Sequence, residues 1–284
     1  MIRKHTSKIY GKLIATMIYL FLGFWSLVVV FPMVWVLVSS FKTDKEIFFS
    51  PWLPPTRLMW DNFLRAWSKA NIGLYLLNSL IVILLAIFFT LLFSAMAGYV
   101  LARFTFPANR FIFFAFLGGM LFPVMLALVP LFFLLDSLTI LDTHFGLILV
   151  YIAYSLPFTV FFMTGFFKTL PSELLEAAII DGASHYQLFF RIVLPLAQNG
   201  LVSMGIFNFL GMWNQYILPL VLLTSSSKYV LSQGLAFLAH QQRYQSDWSG
   251  LFAAITIVMM PTLIVYVIFQ NQIQRGLTIG ALKG

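Results

Sequence analysis

No cysteine occurs in the 284 residues, so neither a disulfide framework nor a thiolate metal site can form. Charge is also scarce. Asp, Glu, Lys and Arg make up 9% of the chain, where a soluble domain carries about 25%, so water is not the main solvent here. The histidines, His5, His144, His185 and His240, lie far apart and show no ligand spacing. They read as scattered surface or interface residues, and no metal site is expected. No glycine loop followed by Lys-Ser or Lys-Thr is present, so the chain is not expected to bind ATP through a phosphate cradle. No catalytic set appears, and the chain does not read as an enzyme.

Apolar residues fill the space that charge leaves, at 61% of the chain. The intervals 13–41, 70–102, 111–135, 143–167, 192–227 and 248–274 contain no Asp, Glu, Lys or Arg. Each exceeds the roughly 20 residues that cross a bilayer as a helix. The expected fold class is therefore an all-α membrane protein with six transmembrane helices. The first apolar run, Leu13 to Val38, is too long for a removable signal peptide, and no small-residue cleavage site follows it. No carboxylate lies in the middle of a span, which argues against a stand-alone proton-coupled carrier.

Six spans put both termini on one side. With that side cytoplasmic, the inner segments hold ten basic residues (Arg3, Lys4, Lys8, Lys12, Arg103, Arg110, Lys168, Arg191, Arg275 and Lys283). Their acids are only Glu173, Glu176 and Asp181, which gives +7. The outer segments hold seven basic residues against six acids, which gives +1. Excess basic charge inside is the membrane topology bias, so the basicity calls for no nucleic acid.

One polar loop is ordered, PSELLEAAIIDGASHYQLFFRIVLP from Pro171 to Pro195. Ser172 is placed to cap a helix that opens with Glu173 and holds Glu176, since carboxylates favour the positive helix end. Leu174, Leu175, Ala178 and Ile179 fall at helical spacing and form one apolar face. Asp181-Gly182 stops the helix. Ser184 caps a second helix that passes Phe189 and Phe190 and ends near Pro195. The result is a helix–glycine–helix knob between two spans, suited to docking.

Glu176, Ala177, Ala178, Asp181, Gly182, Ala183, Ile192, Leu194 and Pro195 resemble the EAA loop of ABC importer permeases. Relatives often carry a second proline soon after Pro195, where Gln198-Asn199-Gly200 stand here. The resemblance implies that these residues are the coupling helix seated in a cleft of a cytoplasmic ATPase. Phe41-Lys42-Thr43, Pro51 through Pro55 and Asn62-Phe63 resemble the first external loop of carbohydrate-type permeases. Ala95-Met96-Ala97-Gly98-Tyr99 allows close helix packing, and with Arg103-Phe104 is similar to the start of the type I importer core. Leu231 to Leu235, Asp247-Trp248 and the glycine-rich end from Gln274 resemble the last external loop and C-terminus of the same carbohydrate-uptake (maltose-type) group.

Within span five, Asn208, Trp213 and Asn214 carry the polarity. Amides inside a membrane need a partner or a wet path. Asn208 and Asn214 are six apart and not strictly on one face. Trp213 beside Asn214 could stack on a sugar and bond its hydroxyls, or these groups could bond neighbouring helices. The resemblance favours lining of the substrate pathway. Trp25 and Trp35 read as interfacial or lipid-facing, Pro157 as a kink in span four, and Pro261 as a break in span six.

The expected organisation is a cytoplasmic tail over 1–12, a first helix with its external loop over 13–74, a core permease domain over 75–272 with its coupling loop at 168–200, and a cytoplasmic tail over 273–284. The resemblance implies a permease subunit of an ABC importer for carbohydrate, multi-pass in the cytoplasmic membrane of a prokaryote. Its implied partners are two ATP-binding subunits, a second and different permease subunit, a solute-binding protein, membrane lipid and the sugar itself. ATP and magnesium would be bound by the partner ATPases, with no cofactor in this chain. Glycerol-phosphate is the related alternative substrate. A secondary carrier, a membrane-embedded enzyme and an assembly factor are the alternatives of other classes.

Overall fold

The computed structural model describes the backbone of residues 2–281, and the side chains of 11–272 except 13 and 243–245. The described residues form helices and turns, with no strand. In chain order the helices are α1 (Ile2–Ser39), α2 (Asp44–Phe49), α3 (Asp61–Leu64, continued by a π-helical turn at Arg65–Lys69), α4 (Ile72–Arg103), α5 (Asn109–Leu121), α6 (Val124–Ser137) and α7 (His144–Phe167). There follow α8 (Ser172–Ile180), α9 (His185–Leu188, continued by a π-helical turn at Phe189–Val193), α10 (Leu194–Leu196), α11 (Gln198–Trp213), α12 (Ile217–Leu222), α13 (Leu231–Gln245) and α14 (Trp248–Ala281).

Four helices are long and apolar enough to cross a membrane by themselves: Ile14–Ser39 of α1, α4, α7 and Trp248–Gln272 of α14. Two bent pairs raise the number to as many as six if each forms one span: α5 with α6, bent by 100°, and His185–Leu196 with Gln198–Trp213, bent by 70°. Six charge-free intervals thus do not mean six straight rods. The third interval breaks at Phe122-Pro123 because proline has no N–H and drives the residue before it out of helical geometry; Phe122 sits at φ −78° and ψ 119°. The fifth is helical over α11, stops at Asn214 and resumes as α12. The break expected at Pro261 is absent, since α14 runs through it. One missing N–H is tolerated in a helix whose other backbone groups have no better partner than the helix itself. Pro157 likewise lies inside continuous α7. The backbone is helical from Ile2 and up to Ala281, so both expected tails begin as helix. Lys283-Gly284 lies outside the described residues, as do the side chains of the C-terminal stretch from Gln274 to Ala281.

The chain divides into two compact units. The first contains the residues up to Ala70 together with Leu238–Ile257. Thr43 and Glu46 cap α2 reciprocally, and Glu46 also accepts from Thr56 N–H at 3.0 Å and from its hydroxyl. Backbone and side-chain donors from Thr43 and Thr56 hold its pKa down at about 2. The buried Asn62 amide donates to the carbonyls of Ser40 and Lys42, both at 2.8 Å. Arg65 pairs with Asp247 at 3.0 Å and donates to Ser249 Oγ at 2.9 Å. Burial would raise the pKa of Asp247, but the Arg65 guanidinium together with donors from Gly250 and Ser249 outweighs it and keeps the group below its ordinary value. Trp25 is 58% exposed on α1, in keeping with a lipid-facing position. Trp35 is not: it is half-buried, donates from Nε1 to Pro51 O at 2.9 Å and meets Phe252 edge-on at 5.2 Å.

The second unit comprises Asn71–Phe237 and the chain from Val258. Here α4 packs against α7, and the small residues of α4 make the approach close. A Cβ on Gly98 would lie 3.0 Å from both Met163 Cβ and Thr164 N. At the far end of α7, Asp142 accepts from Thr224 N at 2.9 Å and Ser225 N at 3.1 Å, and pairs with Lys228 at 3.0 Å. Burial would raise the Asp142 pKa, but the donors from Ser225, Lys228 and Thr224 hold it well below the usual carboxylate range.

Candidate functional site

Two places in the second unit carry function-like geometry, the knob and a cavity. The knob begins with a correction. Pro171, not Ser172, occupies the cap position of α8 and makes no side-chain cap. Ser172 Oγ accepts instead from Arg103 Nη1 at 3.1 Å, while Arg103 Nη2 donates to the Leu170 carbonyl. Arg103, the last residue of α4, thereby fixes the start of α8. The helix ends in a paired-bond stop: Gly182 N–H donates to Ile179 O at 3.0 Å and Ala183 N–H to Ala178 O at 2.9 Å. That arrangement needs a left-handed residue, and Gly182 sits at φ +82°. Ser184 and Gln187 then cap α9 reciprocally.

The apolar face expected from spacing splits in two. Leu175 and Ala178 turn inward and are 8% exposed each. They join Leu188, Phe189 and Val193 in one core with Tyr99 of α4, Met163 and Phe167 of α7 and Met204 of α11. Tyr99 anchors this core, with ring centroids 5.4 Å from Phe189 and 5.9 Å from Phe167. Leu174 and Ile179 instead stay about half exposed, and Ile180 is 85% exposed. Glu176, Ala177, Asp181 and Gly182 are exposed beside them, while Ala183, Ile192 and Leu194 are half-buried and Pro195 is exposed. The knob is thus glued by its inner face to three membrane helices and offers an apolar outer face rimmed by carboxylates.

The cavity has a volume of about 420 Å³ and lies among α5, α6, α7 and α11. Phe122, Pro123, Phe158 and Met212 supply apolar wall; Tyr151, Tyr154, Ser155, Asn208 and Gln215 supply polar groups. Among the described residues no charged side chain lines it. Asn208 is 7% exposed and donates to Thr159 Oγ1 at 3.1 Å. The other two residues of the span-five pattern are placed differently. Trp213 stacks on Phe209 at 5.3 Å and donates to Val258 O at 3.2 Å. Asn214 caps the end of α11 and bonds back to Leu210 O at 2.8 Å. Neither borders this cavity. Tyr151, Tyr154 and Ser155 were missed by the sequence reading, although their i, i+3, i+4 spacing puts them on one face of α7.

Comparison with known proteins now decides the family. The sequence profile described as "Binding-protein-dependent transport system inner membrane component" matches residues 91–279. The chain belongs to this family. The permease is 48% identical over 259 residues to the diacetylchitobiose uptake system permease protein NgcG of Streptomyces coelicolor, covering 91% of this chain and 86% of that one. It is 33% identical to the arabinooligosaccharides transport system permease protein AraQ of Halalkalibacterium halodurans, covering 99% and 100%. In structure it resembles a chain from a bacterial ABC transporter involved in the import of the acidic polysaccharide alginate, with a TM-score of 0.77 over 94% of this chain and 97% of that one, at 21% identity. The type I importer permease fold and a multi-pass membrane location follow. The knob and the cavity of the permease both lie inside the family match.

Proposed function

We propose that this permease carries a neutral saccharide across the membrane as one half of a permease pair, driven by ATP hydrolysis in separate subunits. The observation that carries this reading is the knob, with an inner face in the core of α4, α7 and α11 and an exposed outer face of Leu174, Ile179, Ile180, Glu176 and Asp181. A partner ATPase that grips the outer face moves three membrane helices with it. Glu176, Ala177, Ala178, Asp181, Gly182, Ala183, Ile192, Leu194 and Pro195 form or support that contact. One chain supplies one knob, so a second permease subunit provides the other, and a solute-binding protein delivers the sugar. ATP and magnesium belong to the ATPases.

The saccharide reading draws on the relatives, whose names specify diacetylchitobiose and arabinooligosaccharides. The cavity supports it: aromatic walls with hydroxyl and amide groups suit a neutral sugar, and the absence of a lining cation among the described residues disfavours glycerol-phosphate. Asn208 is the pathway residue placed best for it, with Trp213 and Asn214 as supports of the same helix end. The knob and both termini face the cytoplasm.

The test is Ile180→Asp in the assembled transporter. Permease abundance should be unchanged, while ATPase co-purification and ATP-driven sugar uptake are lost. Normal uptake in this variant would remove the coupling assignment. Uptake by the permease alone in liposomes, without ATP, would replace it with a secondary carrier.

A further inference from the structure

The segment between α1 and α4 exposes an unusual amount of aromatic surface. Phe49 is 86% exposed, Trp52 72%, Leu53 63% and Trp60 62%. It lies outside the family match, which begins at residue 91, and no site described above uses it. Its tip does not project away from α1. Trp52 stacks on Phe31 with ring centroids 5.9 Å apart and meets Trp35 at 6.0 Å. Phe31 lies eight residues before the end of α1, about 12 Å down the helix at 1.5 Å per residue. The chain therefore leaves α1 at Ser39, turns, and comes back alongside the last two turns of a membrane span. The strip of α1 that it meets is itself half accessible, with Phe31 50% and Val34 50% exposed.

The N–H groups of this return are few and mostly paired, which suits a low dielectric where every unpaired polar group is costly, while the carbonyls of Trp52, Leu53, Pro54 and Pro55 accept no bond among the described residues. Pro51, Pro54 and Pro55 have no N–H. Leu53 N–H donates to Ser50 O at 3.3 Å, and Thr56 N–H to Glu46 Oε1 at 3.0 Å; of the N–H groups in 51–56 only that of Trp52 is unpaired among the described residues. The Pro51 carbonyl accepts twice, from Trp35 Nε1 at 2.9 Å and from Lys42 Nζ at 2.8 Å, and Lys42 also reaches Ser50 O at 3.2 Å. Lys42 is 1% exposed, which makes it the internal donor that stands in for water at the turn. Between the return and α1 runs a groove of about 520 Å³ walled by Phe31, Val34, Val38, Trp52, Leu53 and Pro54.

We propose that residues 49–55 form a re-entrant wedge seated in the bilayer at the Ser39 end of α1, with lipid acyl chains covering Trp52, Leu53 and the groove. Lipid is favoured over a water-borne protein partner because Trp52 and Leu53 sit beside Phe31, Val34 and Val38, inside the apolar run Ile14–Ser39 of α1. Indole rings are also the side chains enriched at the boundary between headgroup and hydrocarbon. The wedge rests only on α1 being a membrane span.

The native chain has no cysteine, which permits a single spin label at Leu53→Cys in the transporter assembled with cysteine-free partner subunits in phospholipid bilayers. The label should collide readily with oxygen and poorly with a water-soluble nickel chelate, matching a label at Leu27→Cys on α1 and opposite to one at Ser226→Cys. Access by both reagents would place the segment in water, and access by neither would place it under another protein chain; either result overturns the wedge. Should Leu53→Cys fail to fold, brominated-lipid quenching of the native tryptophans gives a second reading. Quenching should fall when Trp52→Phe removes this one of seven indoles, and quenching that is unaltered would also overturn it.

Discussion

At the residue scale the most consequential position is Gly182. An added Cβ would meet nothing within 4 Å, so the cost of Gly182→Ala is the left-handed backbone alone, about 1–2 kcal/mol. That loosens the stop of α8 without touching a membrane helix. Permease abundance should hold while ATPase co-purification falls, and Gly182→Asn should be milder because asparagine tolerates this conformation. Asn208 calls for a paired comparison. Asn208→Leu removes a cavity-lining amide and its bond to Thr159, whereas Thr159→Val removes the same bond from a residue that does not line the cavity. An interhelical bond is worth roughly 1–2 kcal/mol at most, so both variants should lose similar detergent stability. Only Asn208→Leu should lose sugar uptake. Equal uptake in the two would reduce Asn208 to a structural amide. Asp142 supplies a pH prediction. Its folded pKa is depressed, so its contribution is fully present above the ordinary carboxylate pKa of about 4 and is lost only as pH falls through the lowered folded value. Thermal stability of the wild type should show no loss from this group between roughly pH 8 and pH 5. Asp142→Asn should be less stable throughout that range, as it gives up the Lys228 pair, and should approach the wild type in strong acid.

At the element scale, what could be read in advance depended on how far apart the deciding partners lie in sequence. The stop at Gly182 and the Ser184 cap were legible because their partners are within five residues. Ser172 was misread because the group that claims its hydroxyl, Arg103, is 69 residues away, and because Pro171 competes for the same position. The spans were legible as charge-free intervals, but such intervals carry no information about bends. Pro123 breaks its helix and Pro261 does not, although both are prolines in apolar surroundings. The cavity was the least legible, since its wall is assembled from four helices and Tyr151, Tyr154 and Ser155 look ordinary within α7. The link between α4 and α8 yields a prediction of its own. Arg103 bonds two acceptors, Leu170 O and Ser172 Oγ, from the fork that a guanidinium holds rigidly and an ammonium does not. Arg103→Lys should leave the outer face of the knob intact, so the ATPase should still co-purify. The hinge between α4 and α8 should slacken, and sugar moved per ATP hydrolysed should fall several-fold. An unchanged ratio would show that the knob transmits motion through its apolar core alone.

At the scale of the whole molecule the open quantity is sidedness. Fold and family leave it to charge: ten basic residues against three acids on the knob side, seven against six on the other. Basic residues are retained in the cytoplasm during insertion, so the knob side is expected inside. The structure sharpens the choice of reporters. Ser184 is a poor one, because its hydroxyl caps α9 and its loss costs about 0.5–2 kcal/mol. Ile180 is better, being 85% exposed with its side chain in no core, and Ser226 lies exposed in the short turn before α13. In the cysteine-free background, Ser226→Cys should react with a membrane-impermeant thiol reagent added to intact cells. Ile180→Cys should react only after the membrane is opened, and less so when the ATPase is present, because the proposed docking surface is that same face. The two readouts separate two claims. Labelling of Ile180→Cys in intact cells would invert the orientation and with it the role of the knob. Labelling in opened cells that ignores the ATPase would keep the orientation but move the docking surface away from α8.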